Sequence, residues 1–167
     1  DLGAFVKPLC SWYEKNKRSM PWREQKGAYE VWISEIMLQQ TRIEAVKGYY
    51  DRFLKRLPAV KDLAEIPQEE LMKLWEGLGY YNRARNLQKA AQKVQDEYDG
   101  VLPADYEKLK SLPGIGNYTA GAIASIAYKI PAPAVDGNVM RDTMRLLGCR
   151  DDIMKDSVST DMEQALM

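Results

Sequence analysis

The 167-residue chain contains no histidine, which removes the side chain most often used as a general base near neutral pH and the commonest metal ligand. Acid–base work therefore falls to Asp, Glu, Lys or Tyr. Cysteine is scarce as well: Cys10 and Cys149 stand far apart and form no paired metal-ligand spacing. Neither a zinc site nor a disulfide framework is suggested, and two packed thiols are expected. No apolar run is long enough to cross a bilayer, and the first residues show no basic-then-apolar leader. The expectation is a soluble intracellular protein with no membrane partner. Excess charge is missing too, because Lys plus Arg equals Asp plus Glu at 24 each, so no global positive field advertises a nucleic-acid partner.

What is present is locally uneven. Lys15, Lys17, Arg18 and Arg23 gather near the start, the stretch 42–61 is mostly basic, and Arg83, Arg85, Lys89 and Lys93 follow, while Asp151, Asp152, Asp156, Asp161 and Glu163 load the tail. Such runs are solvated helix faces or a binding surface, and charge alone leaves both open. Apolar residues are 46% of the chain, enough for a core, and they recur at helical spacing with no clean strand-length alternation. An all-α fold is expected.

Phe5, Leu9, Trp12 and Tyr13 mark a first amphipathic helix. Further helices are expected over 29–40, 43–57, from Pro67 through Trp75, over 80–98 as a long exposed helix, 105–111, 118–128, 138–147 and 157–167. The last still reads as helix at the final residue and the first residue is not Met, so the expectation is a piece of something longer.

Two short stretches invite a chemical reading. In "LPGIGNYTAGAIAS", from Leu112, Gly114 and Gly116 permit a sharp turn with uncovered backbone N–H groups, and the following helix aims its positive end the same way. That suits a phosphate; it also suits a plain helix–helix turn, with Gly121 and the alanines allowing close packing. In "SEIMLQQT", residues 34–41, Glu35 stands among Ile33, Ile36 and Met37. It is either a surface carboxylate on an amphipathic helix or an acid biased towards protonation by an apolar pocket.

"LPGIG" resembles the helix-hairpin-helix element of the DNA glycosylase superfamily, which grips a DNA strand through backbone contacts. With "VDGNVMR" (135–141) it is similar to that superfamily's hairpin-then-aspartate pattern. The order of "PWR" (21–23), "SEIMLQQT", "LWEGLGYYNRARNL" (74–87), the hairpin and "DGNV" resembles the adenine glycosylases of the MutY family, up to about residue 141.

The resemblance implies a helix-hairpin-helix glycosylase fold, with a six-helix lobe over 21–130 and an incomplete second lobe from 1–20 and 131–167. It implies removal of adenine mispaired with 8-oxoguanine or guanine in double-stranded DNA, in the cell compartment that holds the DNA. Glu35 would be the general acid and base that protonates a ring nitrogen of the flipped-out adenine. Asp136 would be the carboxylate stabilising positive charge on the sugar, although Asp before a helix is also an N-cap. Asn138 would help fix the catalytic groups and water. Tyr118 stands where strand-cutting relatives carry a Schiff-base lysine, so a monofunctional enzyme with water as final acceptor is implied.

Gln39, Gln40, Thr41 and Tyr80 would enter the duplex and face the orphaned base. Trp22 and Arg23 would lie in or near the adenine pocket. Leu112, Gly114, Gly116 and Thr119 would form the DNA-gripping hairpin, with a monovalent cation there.

Two departures stand out. The family usually continues into four cysteines that hold a [4Fe-4S] cluster; this stretch has none of them, so no cofactor is expected in it, and an exposed apolar face, low stability or an association that hides the face should follow. In "NVMRDTMRLLG", placing Val139 and Leu146 inward puts Asp142 on the same stripe; burying it would be destabilising, so that helix is rotated or frayed, or the register fails after Arg141. The rival functions are a glycosylase for mismatched thymine or uracil, and a DNA-binding fragment without chemistry.

Overall fold

The computed structural model describes residues 3–24, 27–150 and 158. Among them every regular element is helical and there is no strand, as the periodicity predicts. The chain divides into two compact units, one spanning Pro21–Ala134 and the other combining the chain up to Met20 with the chain from Val135 onward.

In the Pro21–Ala134 unit, a short α2 (Pro21–Glu24) leads to α3 (Ala28–Leu38), the most apolar helix of the unit. Seven of its eleven residues, among them Trp32, Ile33 and Met37, are buried. A helix apolar nearly all round belongs in the middle of a core, and α3 touches α2, α4 (Ile43–Arg56), α9 (Asn117–Ala122) and a π-helical turn, Ile123–Ala127. α4 ends as expected before Pro58, with Leu57 N–H bonded to the Phe53 carbonyl at 2.8 Å.

The helix α5 (Val60–Glu65) lies in a stretch whose periodicity is too short to suggest it; Asp62 accepts the Ala59 N–H at 3.0 Å and so fixes its start. α6 (Gln68–Trp75) begins after Pro67, and α7 (Asn82–Tyr98) ends where Asp99 adopts the left-handed conformation before Gly100. The long helix is less exposed than its charges suggest: Ala84, Leu87, Ala90, Ala91 and Val94 form a buried stripe, and its main partner is α5.

α8 (Tyr106–Lys110) is capped by Asp105, whose carboxylate accepts the Lys108 N–H at 2.8 Å. With α9 it makes the hairpin. The expected helix over 118–128 is in fact α9 continued by the π turn, where the Ser125 hydroxyl bonds back to the Gly121 carbonyl at 2.7 Å. Gly121 is required by packing: a Cβ there would lie 1.9 Å from the Pro133 carbonyl oxygen.

In the other unit, α1 (Gly3–Asn16) forms as the spacing predicts but buries none of its side chains. Phe5, Leu9 and Trp12 are 49%, 60% and 61% exposed, the uncovered apolar face anticipated above. Cys10 on this helix is exposed, contrary to the expectation of a packed thiol, whereas Cys149 packs against Met140, Met144 and Val158.

α10 (Gly137–Leu147) is rotated relative to the Val139–Asp142–Leu146 stripe: Met140, Thr143 and Met144 face inward, and Asp142 is exposed and paired with Arg145 at 3.0 Å. The rotation keeps the carboxylate solvated, which avoids the desolvation cost of the other register. Apart from Val158, which is helical and buried, the helix expected over 157–167 lies outside the described residues.

Candidate functional site

Glu35 sits in the last turn of α3, half-buried, between the buried pairs Ile33–Ser34 and Ile36–Met37. The helix is central because its other faces are apolar, so the carboxylate is carried at the rim of the core and not on a free surface. That is the placement a general acid needs: partial exclusion of water with access to a ligand.

Past α3 the chain turns sharply. Gln40 has φ 56°, and across the gap Tyr80 has φ 48°. Non-glycine residues rarely occupy this left-handed region, and each such residue costs on the order of 1–3 kcal/mol. Both are exposed, Tyr80 by 64%. With Gln39, Tyr81, Arg83 and Arg85 they line an open cleft of about 580 Å³. The structure therefore brings Gln39, Gln40 and Tyr80, 40 residues apart in sequence, to one opening. Thr41 stands at its edge, its hydroxyl donating to the Gln39 carbonyl at 3.3 Å.

Sequence reasoning missed Arg83, which it counted among surface charges. The guanidinium is turned inward: Nη1 donates to the carbonyls of Ile36, Met37 and Gln39 at 3.0, 3.1 and 2.5 Å, and Nη2 to those of Leu78 and Gly79 at 3.0 and 3.1 Å and to Thr41 Oγ1 at 3.3 Å. It also lies over the rings of Trp75 and Tyr80 at 5.4 and 5.6 Å. Burial lowers its pKa from the ordinary arginine value. Its only legible signal is an arginine four residues after the Gly77–Gly79 turn.

The hairpin is built as the glycines require. Gly114 has φ 77°, and its Cβ position would fall 2.8 Å from Asn86 Cβ on α7; the turn closes with Ile115 N–H on the Leu112 carbonyl at 3.1 Å. Gly114, Gly116 and Asn117 are exposed, while the side chains of Leu112 and Thr119 are 2% exposed. Leu112 and Thr119 thus serve the core, and any contact they make with a ligand is through the backbone or through the turn they hold. Tyr118 projects from the first turn of α9, 36% exposed. Trp22 is 7% exposed and meets Tyr50 edge-on at 5.5 Å, and Arg23 beside it is exposed.

In the other unit Asp136 is the N-cap of α10. Its Oδ1 accepts the N–H groups of Asn138 and Val139 at 2.9 and 2.8 Å, and its Oδ2 accepts the Asn138 side-chain amide at 3.1 Å. Three donors at the start of the helix thus fix the orientation of this carboxylate. The amide oxygen of Asn138 in turn accepts from Arg141.

Among the described residues no group of three or more Cys, His, Asp or Glu side chains could hold a metal ion, and no helix is long and apolar enough to cross a membrane. The two cysteines of the chain cannot supply the four thiolates of a [4Fe-4S] cluster.

Comparison with known proteins places the chain in one family. A family model described as "HhH-GPD superfamily base excision DNA repair protein" matches residues 33–166. Among curated proteins, the chain is 47% identical to an adenine DNA glycosylase of Rattus norvegicus and 46% identical to one of Homo sapiens, over 87% of the chain in both cases. It is 41% identical to an adenine DNA glycosylase of Buchnera aphidicola. The chain spans only 30%, 28% and 41% of those relatives' lengths. Among solved structures, a thermostable thymine-DNA glycosylase superposes with a TM-score of 0.88 at 28% identity, covering 97% of this chain and 76% of the other. A non-covalent Endonuclease III–DNA complex gives 0.80 at 28% identity, covering 100% and 77%.

Proposed function

We propose, because the chain belongs to the HhH-GPD superfamily of base excision DNA repair proteins, that it is the catalytic portion of a glycosylase that removes adenine from mispaired sites in double-stranded DNA. The observation that carries the substrate assignment is identity of 46–47% to adenine DNA glycosylases over 87% of the chain, well above the 28% identity to the thymine-DNA glycosylase. Within the Pro21–Ala134 unit, the half-buried Glu35 and the cleft lined by Gln39, Gln40 and Tyr80 support the chemistry.

In this reading the hairpin 112–116 and the start of α9 hold a DNA phosphate through backbone N–H groups, with a monovalent cation at the turn. Gln40 and Tyr80 enter the duplex at the cleft and face the orphaned base, 8-oxoguanine or guanine, which offsets the few kcal/mol of unstacking. Trp22 and Arg23 border the extruded adenine. Glu35 gives its proton to a ring nitrogen of that adenine; the N-glycosidic bond breaks with its electron pair going to the base, and the sugar is left as an oxocarbenium ion. Asp136, bonded to its three donors, stabilises that cation, with Asn138 fixing its orientation.

Water adds to the sugar and yields its proton to Glu35, which closes the cycle. Tyr118 has no amine and forms no Schiff base, so the strand is left uncut. A protein acting this way works wherever the cell keeps its DNA, and its duplex affinity falls as salt rises, because phosphate contacts release counterions.

The test is a base-release panel. The chain is incubated with duplexes carrying adenine opposite 8-oxoguanine, adenine opposite guanine, thymine opposite guanine and uracil opposite guanine. Free adenine from the first two, with no strand break until alkali is added, is the expected result. Release of thymine or uracil instead moves the assignment to the mismatched-pyrimidine glycosylases, and duplex binding without release of any base leaves a binding module.

A further inference from the structure

We infer that Arg83 is the positioning residue that sets the duplex-entering side chains of this site, by locking two strained turns and the end of the Glu35 helix into one unit. The inference deepens the proposed function and rests on its reading of Gln40 and Tyr80 as the residues that enter DNA.

The guanidinium touches three segments at once. Its Nη1 meets the carbonyls of Ile36 and Met37, the two residues immediately after Glu35, and that of Gln39, immediately before Gln40. Its Nη2 meets the carbonyls of Leu78 and Gly79, immediately before Tyr80, and the hydroxyl of Thr41, immediately after Gln40. The last carbonyls of a helix have no partner within it, and a cation is favourable there. Both left-handed residues, Gln40 and Tyr80, are thus flanked by groups that Arg83 binds.

Such backbone persists only where the surroundings over-determine it, and Arg83 is the described side chain that binds both turns. Trp75 reinforces one of them, donating Nε1–H to the Gly79 carbonyl at 3.1 Å. The packing of α3, α6 and α7 around it is apolar, with Trp32, Met37, Trp75 and Leu87 buried, so a variant that keeps a long side chain at position 83 is expected to fold. What is lost without the guanidinium is the fixed position of Gln40 and Tyr80.

The experiment uses a duplex bearing 2-aminopurine opposite a tetrahydrofuran abasic analogue, whose fluorescence rises when the protein unstacks it. The 2-aminopurine nucleotide carries a 2′-fluoro substituent, which disfavours the oxocarbenium ion and blocks base release, so the readout is independent of whether the chain excises adenine. Fluorescence amplitude and duplex anisotropy are compared for the chain, Arg83→Lys and Arg83→Met, each at saturating protein and below its melting transition.

The expected result is a fluorescence rise with the unmodified chain, a loss of about tenfold in amplitude for Arg83→Met with duplex affinity retained, and an intermediate amplitude for Arg83→Lys, whose ammonium reaches one turn or the other but lacks the fork that spans both. The inference is overturned if Arg83→Met keeps the amplitude, if amplitude and affinity fall together in proportion to the folded fraction, or if the unmodified chain gives no rise. Should Arg83→Met not fold, Arg83→Lys decides: amplitude equal to the unmodified chain's counts against the inference, and a reduced one with affinity retained supports it. The expected pattern of amplitudes across the three proteins, accompanied by no adenine release from the unmodified chain, upholds the inference while the proposed function fails.

Discussion

At the scale of single residues, the two carboxylates stand in different surroundings. Glu35 is half-buried on a helix whose neighbours are core, whereas Asp136 is braced by three donors at a helix start. For Asp136 the capping that the structure shows and the charge that the proposed function assigns are separable. Asparagine keeps an N-cap acceptor and removes the charge; alanine removes both. Asp136→Asn is expected to leave the melting temperature nearly unchanged and to slow adenine release by about 10²–10³-fold. Asp136→Ala should lose a similar factor in rate and also about 0.5–2 kcal/mol of stability, read by denaturant titration. A stable Asp136→Asn at full rate would reduce the residue to a cap.

Both carboxylates stood out in the sequence through the resemblance of "SEIMLQQT" and "VDGNVMR" to family motifs; their local patterns alone left a surface glutamate and an N-cap open. Arg83 did not stand out, because nothing in its immediate neighbours says that a charged side chain turns inward to satisfy carbonyls contributed by residues 36, 37 and 39.

At the scale of elements, helical periodicity located α3, α4, α6, α7 and the hairpin to within a few residues, because each buries a stripe wide enough to show. It failed at α5, which is six residues long and gives too few turns for a pattern. It left the face of α10 open between rotation, fraying and a failed register; two stripes compete there, and solvation of Asp142 decides for rotation. Nor does sequence announce the π turn after α9, whose extra residue per turn is a property of the surrounding packing.

The small-residue run on α9 makes a sharper prediction. Adding one methyl at Gly121 forces a clash with the Pro133 backbone, and overpacking of this kind costs about 1–3 kcal/mol. Gly121→Ala should therefore lower the unfolding free energy from denaturant titration by that amount, while Gly116→Ala, with open space around its Cβ position, should not. Equal stability of the two variants would show that α9 does not pack as described.

At the scale of the whole molecule, the core of the Pro21–Ala134 unit links stability to pH. The Tyr29 hydroxyl donates to the Leu57 carbonyl at 2.9 Å, and burial first, then the charges of Asp62 and Glu30, raise its pKa above the usual tyrosine value; Tyr50 is raised in the same way, by burial and by Glu30 and Asp51. Because the unfolded chain releases these protons near pH 10 while the folded one keeps them, the unfolded state binds fewer protons there. Stability is full below about pH 10 and falls as pH rises beyond it. Tyr29→Phe should cost about 0.5–1.5 kcal/mol at pH 7 through the lost hydrogen bond and flatten the alkaline decline. An unchanged slope would mean that the phenol is not sequestered.

In the other unit, α1 buries no side chain, so Leu9→Lys is expected to change stability by less than about 0.5 kcal/mol while reducing any self-association seen by light scattering. The existence of that apolar face was readable from spacing alone; which way each charged helix turns was not, since that depends on partners distant in sequence.

The central claim is that Glu35 acts as the acid that expels adenine. It is tested most directly by the single-turnover rate of adenine release from an adenine·8-oxoguanine duplex, measured with the chain and with Glu35→Gln, alongside duplex affinity. A drop of about 10²–10⁴-fold in rate with affinity intact is what the account predicts; a Glu35→Gln variant that releases adenine at the unmodified rate would contradict it.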